Sequence, residues 1–135
     1  MIDYRDDARP TPEQARELYR ASTLAERRPV DDEPRFAAML ANANLVVTAW
    51  EDERLIGIAR ALSDFRYATY LSDLAVRVSH QRRGIGRELI RRTRIRAPQA
   101  SLILLAAPAA ERYYPRLGFR HHPQAWLLRP DDTLA

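Results

Sequence analysis

The run from Tyr70 to Pro98, "YLSDLAVRVSHQRRGIGRELIRRTRIRAP", restricts what the chain can fold into more than any other. Its first part reads as a strand, its last part repeats apolar residues at helical spacing, and the join carries Gly84 and Gly86. A strand that runs through such a loop into a helix brings several backbone N–H groups to one point, where the helix dipole is also positive. Without Cβ atoms, the two glycines allow tight turning and let an anion approach the main chain closely. Within the helix Ile85, Leu89, Thr93 and Ala97 share one face with Ile90 beside them, while Arg87, Arg91 and Arg94 occupy another. The first face suits a sheet, and the second meets anions or water.

The charge of the chain has the same focus. All 22 basic side chains are arginines, which removes lysine chemistry such as Schiff-base formation. Seven of them, with one Glu, fall between Arg82 and Arg96 and give +6, so a net charge of +4 leaves about −2 on the remainder. One basic segment on a slightly acidic domain favours a localised anion site and argues against nucleic acid as the partner. The bland reading of Arg91, Arg92, Arg94 and Arg96 is a solvated helix face.

With 135 residues, 46% of them hydrophobic, the chain is expected to be one domain, residues 1–135, able to bury a core without disulfides. Cysteine is absent, which excludes thiolate chemistry and suits a reducing compartment. No apolar run approaches the roughly 20 residues of a membrane span, so no membrane partner is expected. The first residues, "MIDYRDDARP", lack the order of an export signal. A cytoplasmic protein is therefore expected.

The remaining elements follow from period and punctuation. "MIDYR" suggests a short strand; "TPEQARELYRAS" suggests a helix with Thr11 as N-cap, Pro12 at its first position and Gln14 completing a capping box. "DDEPRFAAMLANA" suggests a second helix with Phe36, Met39, Leu40 and Ala43 on its apolar stripe. From Asn44 the period shortens, and two strands joined at Glu51-Asp52-Glu53 are followed by a third after the loop at Asp64 to Tyr67. "SLILLAAP" reads as a strand buried on both faces, "AAERYYPRLGF" as a short helix closed by Gly118, and "FRHH" and "AWLLR" as two last strands. The expected fold is a mixed α/β (α+β) domain in the order β-α-α-β-β-β-α-β-α-β-β.

Two phosphate motifs fail. A P-loop needs Gly-Lys-Ser/Thr and there is no Lys; a dinucleotide fingerprint needs a third glycine where Leu89 stands. The segment "QRRGIG" instead follows Gln/Arg-x-x-Gly-x-Gly/Ala between strand and helix, and "AAERYYPRLGF" supplies a later Tyr-x-x-x-Gly-Phe. On these two segments the chain, from about Ala43 onward, resembles the GNAT superfamily of N-acetyltransferases, small single-domain bacterial type. "RALSDFRYATYLSDLAV" and the tail add a weaker resemblance to members that acetylate arylalkylamines.

The resemblance implies acetyl-CoA as cosubstrate and transfer of its acetyl group to a primary amine by direct attack. It implies a pantetheine arm on the main chain of Leu74, Ala75 and Val76, and a pyrophosphate on the N–H groups of Gln81, Arg82, Arg83, Gly84, Ile85, Gly86 and Arg87. The arginines at 82, 83 and 87 would add charge for the phosphates. It implies that the Tyr114 hydroxyl protonates the departing CoA thiolate, a role open to a phenol of ordinary pKa near 10. Tyr113 beside it reads as core packing.

The base is where the pattern breaks. An amine is mostly protonated at neutral pH and must lose a proton. Polyamine-acetylating relatives carry a Glu on the strand, and the matching residue is Ser72. Asp73 is adjacent but alternation turns it away unless a bulge intervenes; Asp64, at the end of the preceding strand, is the other candidate, and both also suit structural roles. A water relay is the third route. His80, His121 and His122 form no ligand set with Cys or paired carboxylates, so no metal is expected. A non-catalytic acyl-CoA sensor stands as the alternative to the enzyme. The acceptor, a small-molecule or peptide amine, has no code in the sequence, and the last strand offers a homodimer contact without demanding one.

Overall fold

The apolar run that begins at Leu45 produces the centre of a sheet. In the computed structural model, which describes residues 1–135, strands β2 (Leu45–Glu51), β3 (Arg54–Ser63) and β4 (Ala68–Val76) form an antiparallel meander. Strand β1 (Asp3–Arg5) pairs antiparallel with β2, and β5 (Ser101–Ile103) pairs parallel with β4, giving the order β1-β2-β3-β4-β5.

Helix α1 (Pro12–Ala21) starts as its residues dictate: Thr11 Oγ1 accepts from the Gln14 N–H at 3.1 Å, and Gln14 Oε1 accepts from the Thr11 N–H at 2.9 Å. Helix α2 (Glu33–Asn42) is capped by Asp32, which accepts from the Arg35 N–H. Leu18, Tyr19, Phe36 and Leu40 from these helices pack with Val46, Trp50, Leu55, Ile58 and Ala75 of the sheet into one buried core. Helix α3 (Ile85–Arg96) packs on β2, β3 and β4 through its buried residues Ile85, Leu89, Ile90 and Thr93.

Two irregularities shape the sheet. Trp50 pairs with Leu55 while Ala49 pairs with Gly57, which leaves Ile56 as an extra residue in β3. Arg60 pairs with Asp73 while Ala61 pairs with Leu71, so Ser72 is the extra residue in β4.

The chain divides into two compact units, Met1–Leu105 and Ala106–Ala135. In the second, a 3-10 turn at Pro108–Ala110 precedes helix α4 (Tyr113–Arg116), which ends at Gly118 with φ +97°. The two strands expected at "FRHH" and "AWLLR" are not formed: no strand follows Ile103. Pro123 and Pro130 bracket the second segment, each lacking an N–H for a ladder, and strand propensity without a pairing edge does not make a strand. Trp126 is 94% exposed.

The expected buried strand is also corrected. Strand β5 holds only three residues at the sheet edge, and Ile103 and Leu105 are about half exposed. Tyr113, expected in a core, lies at the surface with its ring edge-on to Tyr114. No helix is long and apolar enough to cross a membrane.

Candidate functional site

Strand β4 ends at Val76 and the chain passes through a 3-10 turn, Val78–His80, before entering α3. Arg82 has φ +63° and Gly84 φ +80°, left-handed positions that turn the chain tightly into α3. Gly84 is the N-cap of α3 and supplies no side-chain cap, so the first-turn N–H groups of Ile85, Gly86 and Arg87 have no intrahelical partner. The first intrahelical bond runs from the Glu88 N–H to the Gly84 carbonyl at 3.1 Å. A Cβ built on Gly84 would meet nothing within 4 Å. The loop therefore presents backbone donors at a positive helix end with open space above them, a fit for a diphosphate.

Gln81 stands apart from that set. Its N–H is engaged with the Val78 carbonyl at 3.3 Å and its side-chain amide donates to the Val76 carbonyl at 3.0 Å. Arg82, Arg83 and Arg87 are exposed around the donors.

Two side-chain contacts pin the entry to this loop. Arg77, 3% exposed, donates to both Glu17 oxygens of α1 at 2.6 and 2.7 Å and to the Leu55 carbonyl, while its own N–H donates to the Ile56 carbonyl. That pairing holds the Glu17 carboxyl below the usual range. His80 lies between Ser79 Oγ, at 2.8 Å from Nδ1, and Glu51 Oε1, at 3.0 Å from Nε2. Gly57 sets the approach of α3: a Cβ there would lie 3.1 Å from Leu89 Cδ1 and 3.3 Å from Ile85 Cγ2.

Beside the loop, β4 has an open edge. Its ladder with β5 covers Ala68–Tyr70, whereas β4 continues to Val76, so Leu74, Ala75 and Val76 lie beyond the parallel pairing. Leu74 and Val76 are partly exposed and Ala75 is buried in the core.

Asp73 occupies the centre of a buried polar cluster. Its carboxylate accepts from Tyr19 Oη, Arg28 Nε and Arg60 Nε, each at 2.6 Å, and from Ser72 Oγ at 3.2 Å. Arg60 also donates to the Met39 carbonyl of α2 and to Ser72 Oγ, and Arg28 to the Ser72 carbonyl. Burial works to raise the Asp73 carboxyl, but the Arg60 hydrogen bond and charge, with Tyr19 and Arg28 behind them, hold it below the ordinary aspartate value. Burial, then the Asp73 charge, push the Tyr19 phenol well above its usual value.

Asp64 is committed locally. Its Oδ1 accepts from the N–H groups of Arg66, Tyr67 and Ala68 at 2.8–3.1 Å, and those bonds, Tyr67 first, keep its carboxyl low. Asp73 thus accepts on both carboxylate oxygens, whereas Asp64 accepts these bonds on Oδ1 alone.

In the second unit, Tyr114 sits on α4 with its ring edge-on to Tyr113 and to Phe119, at centroid distances of 5.1 and 5.3 Å. Its carbonyl accepts from the N–H groups of Leu117 and Phe119, which fixes the turn through Gly118. His121 and His122 follow in this unit, whereas His80 belongs to the first.

Sequence reasoning missed Tyr19, Arg28, Arg60 and the Arg77–Glu17 pair. A signal existed: Arg60 is the one charge inside "LIGIARALS" and Asp73 the one charge inside "ATYLSDLAV", opposite signs on successive apolar strands.

With this geometry in view, comparison with known proteins is direct. The model of the acetyltransferase (GNAT) domain family matches residues 11–125. A protein of Glycine max named histone acetyltransferase TAP1 is 34% identical over 77 residues, 55% of this chain and 33% of its own length. The chain thus spans about a third of that curated relative. Among solved structures, a probable acetyltransferase from meticillin-resistant Staphylococcus aureus superposes with a TM-score of 0.76 at 24% identity, covering 96% of this chain and 98% of that one. A predicted acetyltransferase from Clostridium acetobutylicum, solved with acetyl-CoA, gives 0.75 at 17% identity over 96% of each chain. An aminoglycoside N-acetyltransferase solved with CoA gives 0.74 at 20% identity, covering 97% of this chain and 95% of that one.

Proposed function

The chain belongs to the GNAT acetyltransferase family, and from that premise we propose that it moves an acetyl group from acetyl-CoA to a primary amine. The observation that carries this reading is the Arg82–Arg87 loop, whose backbone donors, positive helix end and open Gly84 suit a diphosphate. Arg82, Arg83 and Arg87 add positive charge there. The pantetheine arm lies along the open edge of β4 at Leu74–Val76. Acetyl-CoA supplies an activated thioester.

In the transfer, the amine nitrogen forms the new bond to the acetyl carbon, the carbon–sulfur bond breaks, and the sulfur takes the electron pair. Tyr114 gives its hydroxyl proton to that sulfur. The proton lost by the amine leaves through water, a route supported by the donors on both Asp73 oxygens and on Asp64 Oδ1. That same occupancy favours one second reading, a domain that binds acyl-CoA and transfers nothing.

Release of CoA thiol in the presence of a panel of amines separates the two. Turnover is expected, and Tyr114→Phe should lower kcat by about 10²- to 10⁴-fold while the affinity for CoA is unchanged. Binding without turnover by the wild-type protein on any amine would leave the sensor.

A further inference from the structure

The inference concerns the acceptor and rests on the CoA placement just given. With the phosphates beyond the end of β4 and the arm along its open edge, the thioester is carried back toward the bulge. Ser72 lies four residues before Val76, roughly 13 Å at the rise of a strand. At that level stands the Asp73 cluster, built from α1, α2 and the segment between them.

Its charges do not cancel. One carboxylate, Asp73, faces two guanidiniums, Arg28 and Arg60, so one positive charge is left over. Two neighbouring acids are committed elsewhere, Glu17 to Arg77 and Asp31 to Arg20. Arg60 is almost wholly buried, whereas the Arg28 side chain is 23% exposed. Arg28 has bonds from three donors: Nε to Asp73, Nη1 to the Arg27 carbonyl and Nη2 to the Ser72 carbonyl. A guanidinium carries five N–H groups, so two remain beyond these bonds on a side chain that reaches the surface. Ser72 itself brings no carboxylate to receive a second ammonium.

We infer that Arg28 is a specificity-determining residue and that the acceptor is an amine bearing a carboxylate, an amino acid or an acidic peptide, in preference to a polycation. Asp73 and Arg60 are positioning residues: they hold Arg28 across the Ser72 bulge. An outward guanidinium fork pairs with a carboxylate bidentately and repels an extra ammonium.

Matched acceptors that differ by the carboxylate test this: phenylalanine against phenethylamine, arginine against agmatine, with spermidine as the polycation. The acid member of each pair should be preferred by at least about tenfold in kcat/KM. Arg28→Gln should erase that ratio through KM with kcat little changed, and Arg28→Lys should restore part of it. Preference for phenethylamine, agmatine or spermidine overturns the inference, as does a ratio that survives Arg28→Gln in a protein with an unaltered melting transition. Failure to acetylate any carboxylate-bearing member while acetyl-CoA binds also overturns it. Failure to bind acetyl-CoA is a different result, and it removes the CoA reading beneath.

Discussion

The two ends of β4 use arginine in opposite ways. Around Asp73 the guanidiniums of Arg28 and Arg60 are drawn in among α1, α2 and the bulge, each with three N–H groups bonded to protein. Beyond Val76, Arg82, Arg83 and Arg87 stand exposed around backbone N–H groups that helix geometry leaves unpaired. One end is built first to hold the strand in place, with Arg28 alone reaching its surface, and the other is open along its whole loop. Clustering along the chain points to the second use and misses the first, because Arg28 and Arg60 are scattered while the other seven fall within Arg82–Arg96. Burial brings out the first.

The contrast can be broken most strongly at Asp73. Asp73→Asn leaves two guanidiniums without their carboxylate and should cost about 3–5 kcal/mol in urea unfolding. A loss below about 1 kcal/mol would mean that the cluster is not the structural end of the strand. Its pH signature is equally specific. The folded carboxyl is held below its unfolded value of about 3.9, so the unfolded chain binds more protons in acid. The stabilisation is complete above that value and is lost as pH falls through the lower folded one. The acid limb of stability should therefore be shallower in Asp73→Asn than in wild type.

A smaller effect is expected where α3 meets the sheet. Gly57→Val forces a branched side chain against Leu89 and Ile85 and should cost about 1–3 kcal/mol. It should also weaken CoA binding, since those residues seat the helix start on β3. Unchanged CoA affinity in a destabilised variant would separate the loop from the helix that carries it.

The smallest effect belongs to the exposed arginines of α3. Glu88 is shared by Arg91 and Arg92, and the Arg91 hydrogen bond foremost lowers its carboxyl to about 2. Such pairs are open to solvent, and Arg91→Gln should leave the unfolding midpoint and the CoA affinity unchanged. A large loss of CoA affinity would extend the anion site along the helix.

What the sequence made legible was local. The capping box at Thr11–Gln14, the turn through Asp52 and the strand-loop-helix at Val76–Arg87 depend on neighbours in the chain and are found where the residues predict. The Asp73 cluster depends on four segments meeting, so alternation hinted at one charge pair and nothing more. The tail failed for the opposite reason: "AWLLR" has strand composition, but a strand needs a partner edge that composition does not supply. The main chain at Leu74–Val76 was singled out by family resemblance, not by period.

The central claim is that the Arg82–Arg87 loop receives the phosphates of CoA, and calorimetric titration tests it most directly. CoA, dephospho-CoA and pantetheine would be titrated into the wild-type protein and into Gly84→Glu. The account predicts affinity that falls as phosphates are removed and a loss of at least about tenfold for CoA in the variant, where a carboxylate and a strained positive φ replace open space. Pantetheine binding as tightly as CoA, with Gly84→Glu indistinguishable from wild type, would contradict it.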